Sequence, residues 1–260
     1  MINYTSPSWV LFATRSTPPL KRDFRKRWYL YIDKITNLKI SQLLIICQNG
    51  LGFMYVKLKE DKANDRQVIK DYKQHKIKKY FKKFLSLTKK YQKLQNNTLF
   101  SAIQSYEMLG SGLIYSHYVE RLLTKQSKNP ALSELISLNS KLRNAVLEVQ
   151  DENYKTAYEY LKKKFPLLSN LNYYLVNELL SGKILNQKSI KARKKFYVFI
   201  ATKNSTCIFI EKEARKILRK EHFKNFLPPK TEQIKGFPVF PGKVKGKVFI
   251  AANLSDFKKS

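Results

Sequence analysis

Residues 41–58 read Ser-Gln-Leu-Leu-Ile-Ile-Cys-Gln-Asn-Gly-Leu-Gly-Phe-Met-Tyr-Val-Lys-Leu. Two β-prone runs flank Asn49-Gly50, a dipeptide that readily supplies the positive φ angles of a tight turn, so the stretch predicts a β-hairpin. Before it, Pro7, Pro18 and Pro19 and the basic cluster Lys21, Arg22, Arg25, Lys26 and Arg27 predict a segment that starts irregular. Trp9, Phe12, Trp28, Tyr29 and Tyr31 are its expected anchors to the body.

After the hairpin the period becomes helical. Val68, Tyr72, Ile77, Phe81, Phe84, Leu85, Leu87, Tyr91 and Leu94 recur every three to five residues, predicting one amphipathic helix over about 64–94 with a basic outer face. A second helix is expected over 98–124, with Gly110-Ser111-Gly112 weakening it or admitting a close neighbour. Asn129-Pro130 supplies a cap and a first-turn proline for a helix reaching Phe165, where Pro166 stops it. A short helix from Tyr173 to Leu180 closes at Gly182. The runs 196–200 and 206–210 around Lys203-Asn204-Ser205 predict a second hairpin, followed by a helix over 211–226. Pro228-Pro229 then forms a stiff break suited to a linker. The expected fold is α+β: a mainly helical body, two hairpins, and the first strands of a C-terminal β/α domain. The divisions are an N-terminal segment (1–62), a helical body (63–182), a connector (183–229) and the opening of a further domain (230–260).

With 43% hydrophobic residues in 260 positions, the chain can bury a sizeable core, which argues against global disorder. Its net charge of +32 is read in two ways: as a surface drawn to polyanions, or as the by-product of an A- and T-rich coding bias that enriches Lys, Asn, Ile, Tyr and Phe together. Cys47 and Cys207 stand far apart, disfavouring a disulfide framework. His75, His117 and His222 lack ligand partners at helical spacing, so no metal is expected. There is no charged-then-apolar leader, and the run Leu43–Cys47 is far short of the roughly 20 apolar residues a membrane helix needs. A soluble, reducing, cytoplasmic setting is expected.

Beyond the double proline, residues 234–250 read Ile-Lys-Gly-Phe-Pro-Val-Phe-Pro-Gly-Lys-Val-Lys-Gly-Lys-Val-Phe-Ile. On their own they predict a turn at Pro241-Gly242 and a strand from Lys243 to Ala251. The same run resembles the entry to the mobile, swivelling domain of the phosphoenolpyruvate-utilising enzymes, the family of phosphoenolpyruvate synthase, pyruvate phosphate dikinase and related phosphotransferases. Their G-x-x-x-x-P-G-x-x-x-G-x-V pattern finds Gly236, Pro241, Gly242, Gly246 and Val248 at every fixed place. Asn253 to Lys259 is similar to the segment that follows, and Asn177 to Ile217 to the connector before that domain in smaller, divergent members.

The resemblance implies phosphoryl transfer through a histidine in a Gly-Gly-x-x-x-His run, whose glycine amides approach phosphate closely. ATP and magnesium are implied for a complete member. This chain has no histidine after His222 and no Gly-Gly pair, so no catalytic residue is assigned and the chain alone is expected to be inactive. Two explanations stand: a truncated gene, or a partial domain kept for docking. Strands 243–251 of such a part domain would leave unpaired edges, predicting a loosely packed tail. The implied partners are a nucleotide-grasp or phosphoenolpyruvate-binding domain, in the rest of the protein or in a separate chain. The competing readings are a basic nucleic-acid-binding protein, or a helical interaction protein without catalysis; no membrane association is expected.

Overall fold

In the computed structural model, which describes residues 3–93, 99–125 and 132–226, the chain runs β1 (Asn3–Thr5), β2 (Trp9–Ser16), α1 (Pro19–Leu30), β3 (Gln42–Gln48), β4 (Leu51–Lys57), α2 (Leu58–Lys73) and α3 (Lys76–Lys93). It continues through α4 (Leu99–Lys125), α5 (Ser133–Lys164), α6 (Val176–Leu180), α7 (Gln187–Lys195), β5 (Phe196–Thr202), β6 (Thr206–Ile210), α8 (Glu211–Lys220) and β7 (Lys224–Phe226). This is an α+β fold with a mainly helical body.

Both predicted hairpins form. Asn49 and Gly50 take φ of 49° and 82°, the left-handed pair that a two-residue turn requires, and Gln48 pairs with Leu51. The second hairpin turns at Lys203–Ser205, where the Thr202 amide donates to the Ser205 carbonyl at 2.9 Å. The two join in one antiparallel sheet of order β2-β4-β3-β5-β6, so residues some 150 positions apart share a ladder.

β3 is the central strand, and Leu43 to Cys47 are all buried because both sheet faces are covered. One face presents Leu43, Ile45 and Cys47 with their cross-strand partners Val56, Met54, Ala201, Phe199 and Tyr197 to the main helical core. The other presents Tyr55 and Phe53 to Tyr4 and Phe223, from the segments around a small β1–β7 ribbon. α4 is the hub of the helical layer, packing against α1, α2, α3 and α5. Tyr106, Leu109, Tyr115, Tyr118 and Val119 are its buried contribution.

The structure corrects three of the expected elements. The N-terminal stretch is not irregular: it forms β2 and then α1, with Pro18 at the cap and Pro19 at the first helical position. The helix expected over 64–94 starts earlier, at Leu58, and is split in two at Gln74-His75, where His75 turns left-handed (φ 54°) and α2 ends. Gly110-Ser111-Gly112 do not break α4 but admit the close neighbour that is the other expectation, α1, whose Trp28 lies directly on Gly110. The helix expected over 211–226 stops at Lys220; His222 takes φ 55° and the chain returns as β7 to pair with β1 at the other end of the sequence. The cap predicted at Asn129-Pro130 lies outside the described residues; α5 is described from Ser133.

Candidate functional site

The predicted signature residues Gly236, Pro241, Gly242, Gly246 and Val248, and the tail expected to be loosely packed, lie outside the described residues. What the described residues build is a cavity of about 510 Å³ between β2, the core-facing side of the sheet, α1, α4 and α5. α1 dominates it. Arg22, Arg25, Lys26 and Tyr29 follow at i, i+3, i+4 and i+7 and therefore share one side of the helix, which lines the cavity. On the opposite stripe Leu20 and Phe24 fix α1 to the body, and Trp28, also buried there, reaches the edge of the cavity. Arg15 comes from β2, His117 from α4 and Arg143 from α5, over a floor that includes Leu43, Ile45, Met54 and Ile114.

The lining contains no aspartate or glutamate. Two of its cations are neutralised from behind: Lys26 pairs with Asp23 at 2.6 Å, and Arg143 pairs with Glu120. Asp23 is itself fixed by accepting the Val176 amide at 2.7 Å. Arg22 is different. Only 2% exposed, it donates through Nε to the Thr17 carbonyl at 2.6 Å and through Nη2 to the Arg15 and Gly50 carbonyls at 3.3 and 3.4 Å, with no carboxylate partner. The guanidinium lies flat on Gly52, where a Cβ would stand 1.7 Å from Nη1; the missing side chain of Gly52 is what gives Arg22 its place. Arg25 stacks over the Trp28 ring at 5.1 Å, its Nε without a partner.

His117 packs on Phe12 with ring centroids 4.6 Å apart. Burial, then the nearby guanidinium groups of Arg121 and Arg143, hold its pKa below the usual histidine value, so the imidazole is neutral at pH 7. Beside the cavity, burial pushes the Cys47 thiol up to about 11 even though Arg22 pulls the other way. That thiol therefore stays protonated and is no nucleophile. Among the described residues no three His, Cys, Asp or Glu side chains are grouped to hold a metal, and no helix is long and apolar enough to cross a membrane. The arrangement is suited to holding an anion beside an apolar surface.

Comparison with family models, with curated proteins and with solved structures returns no match for this chain. The basic residues of α1 are visible in the sequence as a cluster, and the 22, 25, 26, 29 spacing is the signal that would have placed them on one helix side. Their convergence with Arg15, His117 and Arg143 has no local signature.

Proposed function

We propose that this chain is part of a phosphoenolpyruvate-utilising phosphotransferase, with residues 3–226 as a non-catalytic, ligand-holding body and the residues after Pro228-Pro229 opening a phosphocarrier domain. The observation that carries the reading is the run Gly236, Pro241, Gly242, Gly246 and Val248 at family spacing. The carboxylate-free, cation-lined cavity supports it, since a body serving phosphoryl chemistry has to handle phosphorylated anions. The described residues do not fit magnesium, so no step is assigned to that ion on this body. The test is labelling of the protein purified from its native source with phosphoenolpyruvate or ATP carrying radioactive phosphate in the transferable position. An acid-labile, base-stable label on a histidine is expected, together with a Gly-Gly-x-x-x-His run in the reading frame after Ser260; absence of label with both donors removes the reading.

A second reading, binding of nucleic acid through its phosphates, is favoured by α3, whose Lys79, Lys82, Lys83, Lys89 and Lys90 are exposed on a helix without an acidic residue. Phe81 and Phe84 are fully buried, so these two aromatics cannot stack on bases and affinity would come mainly from charge. Affinity for single-stranded DNA should then fall linearly with salt on logarithmic axes, with a slope of about −0.7 per phosphate contacted. A flat salt dependence in a filter-binding titration eliminates it.

A further inference from the structure

We propose that the cavity enclosed by β2, α1, α4 and α5 is a binding site for an organic phosphomonoester, whose phosphoryl group is taken by Arg22, Arg25 and Arg15 while a flat apolar portion lies against Trp28. The inference concerns the described body and does not rest on the phosphotransferase reading.

It starts from a charge imbalance. A buried guanidinium with only neutral groups for company, here backbone carbonyls and the Tyr197 hydroxyl, is costly in a folded protein, because dipoles do not cancel its charge. Arg22 is such a group. Arg25 and the exposed Arg15 line the same space, and among the described residues the ion pairs include neither of them. The two other strong cations of the lining already have their counter-ions in Asp23 and Glu120. The protein has thus neutralised the cations it needs for structure and left three arginines on one cavity. A dianion answers that excess better than a single carboxylate does, and the planar fork of arginine matches the oxygen edges of a phosphoryl group.

The remainder of the lining excludes a bare phosphate as the whole ligand. Leu43, Ile45, Met54 and Ile114 make an apolar floor. Trp28 is only 6% exposed and its indole N–H has no hydrogen-bond partner, an uncommon state for a buried donor. A ligand with a flat apolar body covers that floor, while its phosphoryl group meets the arginines. The volume lies within the range of small-molecule sites. The neutral imidazole of His117 adds a donor or acceptor at the wall without adding charge.

The experiment is isothermal titration of the full 260-residue protein with phenyl phosphate, inorganic phosphate and benzoate as separate probes, paired with fluorescence of the Trp9→Phe protein, in which Trp28 is the remaining tryptophan. Phenyl phosphate is expected to bind and to change Trp28 emission. Inorganic phosphate and benzoate should each bind about tenfold or more weakly, since each lacks one half of the recognition. Arg15→Gln, at an exposed position, and Arg25→Lys, which keeps the charge and loses the fork, should each weaken phenyl phosphate by about tenfold. Lys89→Gln with Lys90→Gln on α3 should leave it unchanged. No binding of phenyl phosphate, equal affinity for inorganic phosphate, insensitivity to the arginine variants, or equal loss from the α3 variant would each overturn the proposal.

Discussion

Glu178→Gln is expected to lower the stability of the fold by about 3–5 kcal/mol, the usual consequence of removing one partner from a buried ion pair. Glu178 is 7% exposed and Arg193 6%. They meet through two bonds of 2.6 Å, one from each terminal nitrogen of the guanidinium. Glu178 also accepts the Leu175 amide at 3.0 Å, which caps α6, and the Lys183 ammonium at 2.9 Å. Once the carboxylate is gone, Arg193 keeps the Tyr173 carbonyl and at most one amide oxygen of the glutamine, and no negative charge balances it. Since Arg193 stands on α7, which leads straight into β5, the loss loosens the entry to the central sheet. The acid limb follows from the same contacts. Burial alone would raise the Glu178 pKa, but the bonds from Arg193, Leu175 and Lys183 outweigh it and bring it down to about 2. The folded value thus lies below the unfolded one, so the unfolded chain takes the proton first. The stabilisation is present above pH 4.5 and lost as pH falls toward about 2. Urea unfolding at pH 7 and pH 3 checks both parts: the wild type should lose stability between them, and Glu178→Gln should lose less. The double variant Glu178→Leu with Arg193→Met should be milder than either single removal. A Glu178→Gln protein within 1 kcal/mol of wild type at pH 7 would show that the pair does not hold α6 and α7 together.

That ion pair lies within one short stretch of chain, yet nothing in the sequence marked it, because Glu178 and Arg193 sit on different helices, α6 and α7, brought together by the connection that turns at Gly182 (φ 71°). The elements that could be read were those whose cause is local. Asn49-Gly50 dictates its turn whatever surrounds it. The apolar period of α4 and α5 is long enough to be unambiguous. α1 was concealed by its prolines and its charge, although Leu20, Phe24 and Trp28 already recur every four residues and are all buried. The break at His75 was concealed for the opposite reason, since the apolar residues resume after it at nearly the same phase. β7 is three residues long and exists because β1, more than 200 positions earlier, offers it an edge. The cavity is non-local in the same way: Arg22 and Arg143 converge through α4, and no pattern within a window of residues could announce it.

Gly110→Ala should lower stability by about 2–3 kcal/mol or more, against the direction that helix propensity gives. Within an exposed helix the change would gain about 1 kcal/mol. Gly110 is not there for backbone freedom, because α4 is regular through it. It is there for close approach: a Cβ at 110 would stand 2.1 to 2.3 Å from three atoms of the Trp28 indole. The ring has little room to yield. It is buried, lies 5.0 Å from the Tyr106 ring and 5.1 Å from the Arg25 guanidinium, and its own carbonyl accepts the Ser111 hydroxyl at 3.1 Å. The conflict must therefore separate α1 from α4, with the cost of an overpacked core. Gly112, two positions on, is the internal control, since a Cβ there would meet Phe84 at 3.0 Å and need only a small adjustment. Gly112→Ala should stay within about 1 kcal/mol of wild type as gained propensity offsets the tighter contact. Equilibrium unfolding of the two variants side by side decides the matter. Should Gly110→Ala prove as stable as Gly112→Ala, α1 is not seated on α4 through Trp28, and the wall that this tryptophan gives the cavity is not where the packing places it.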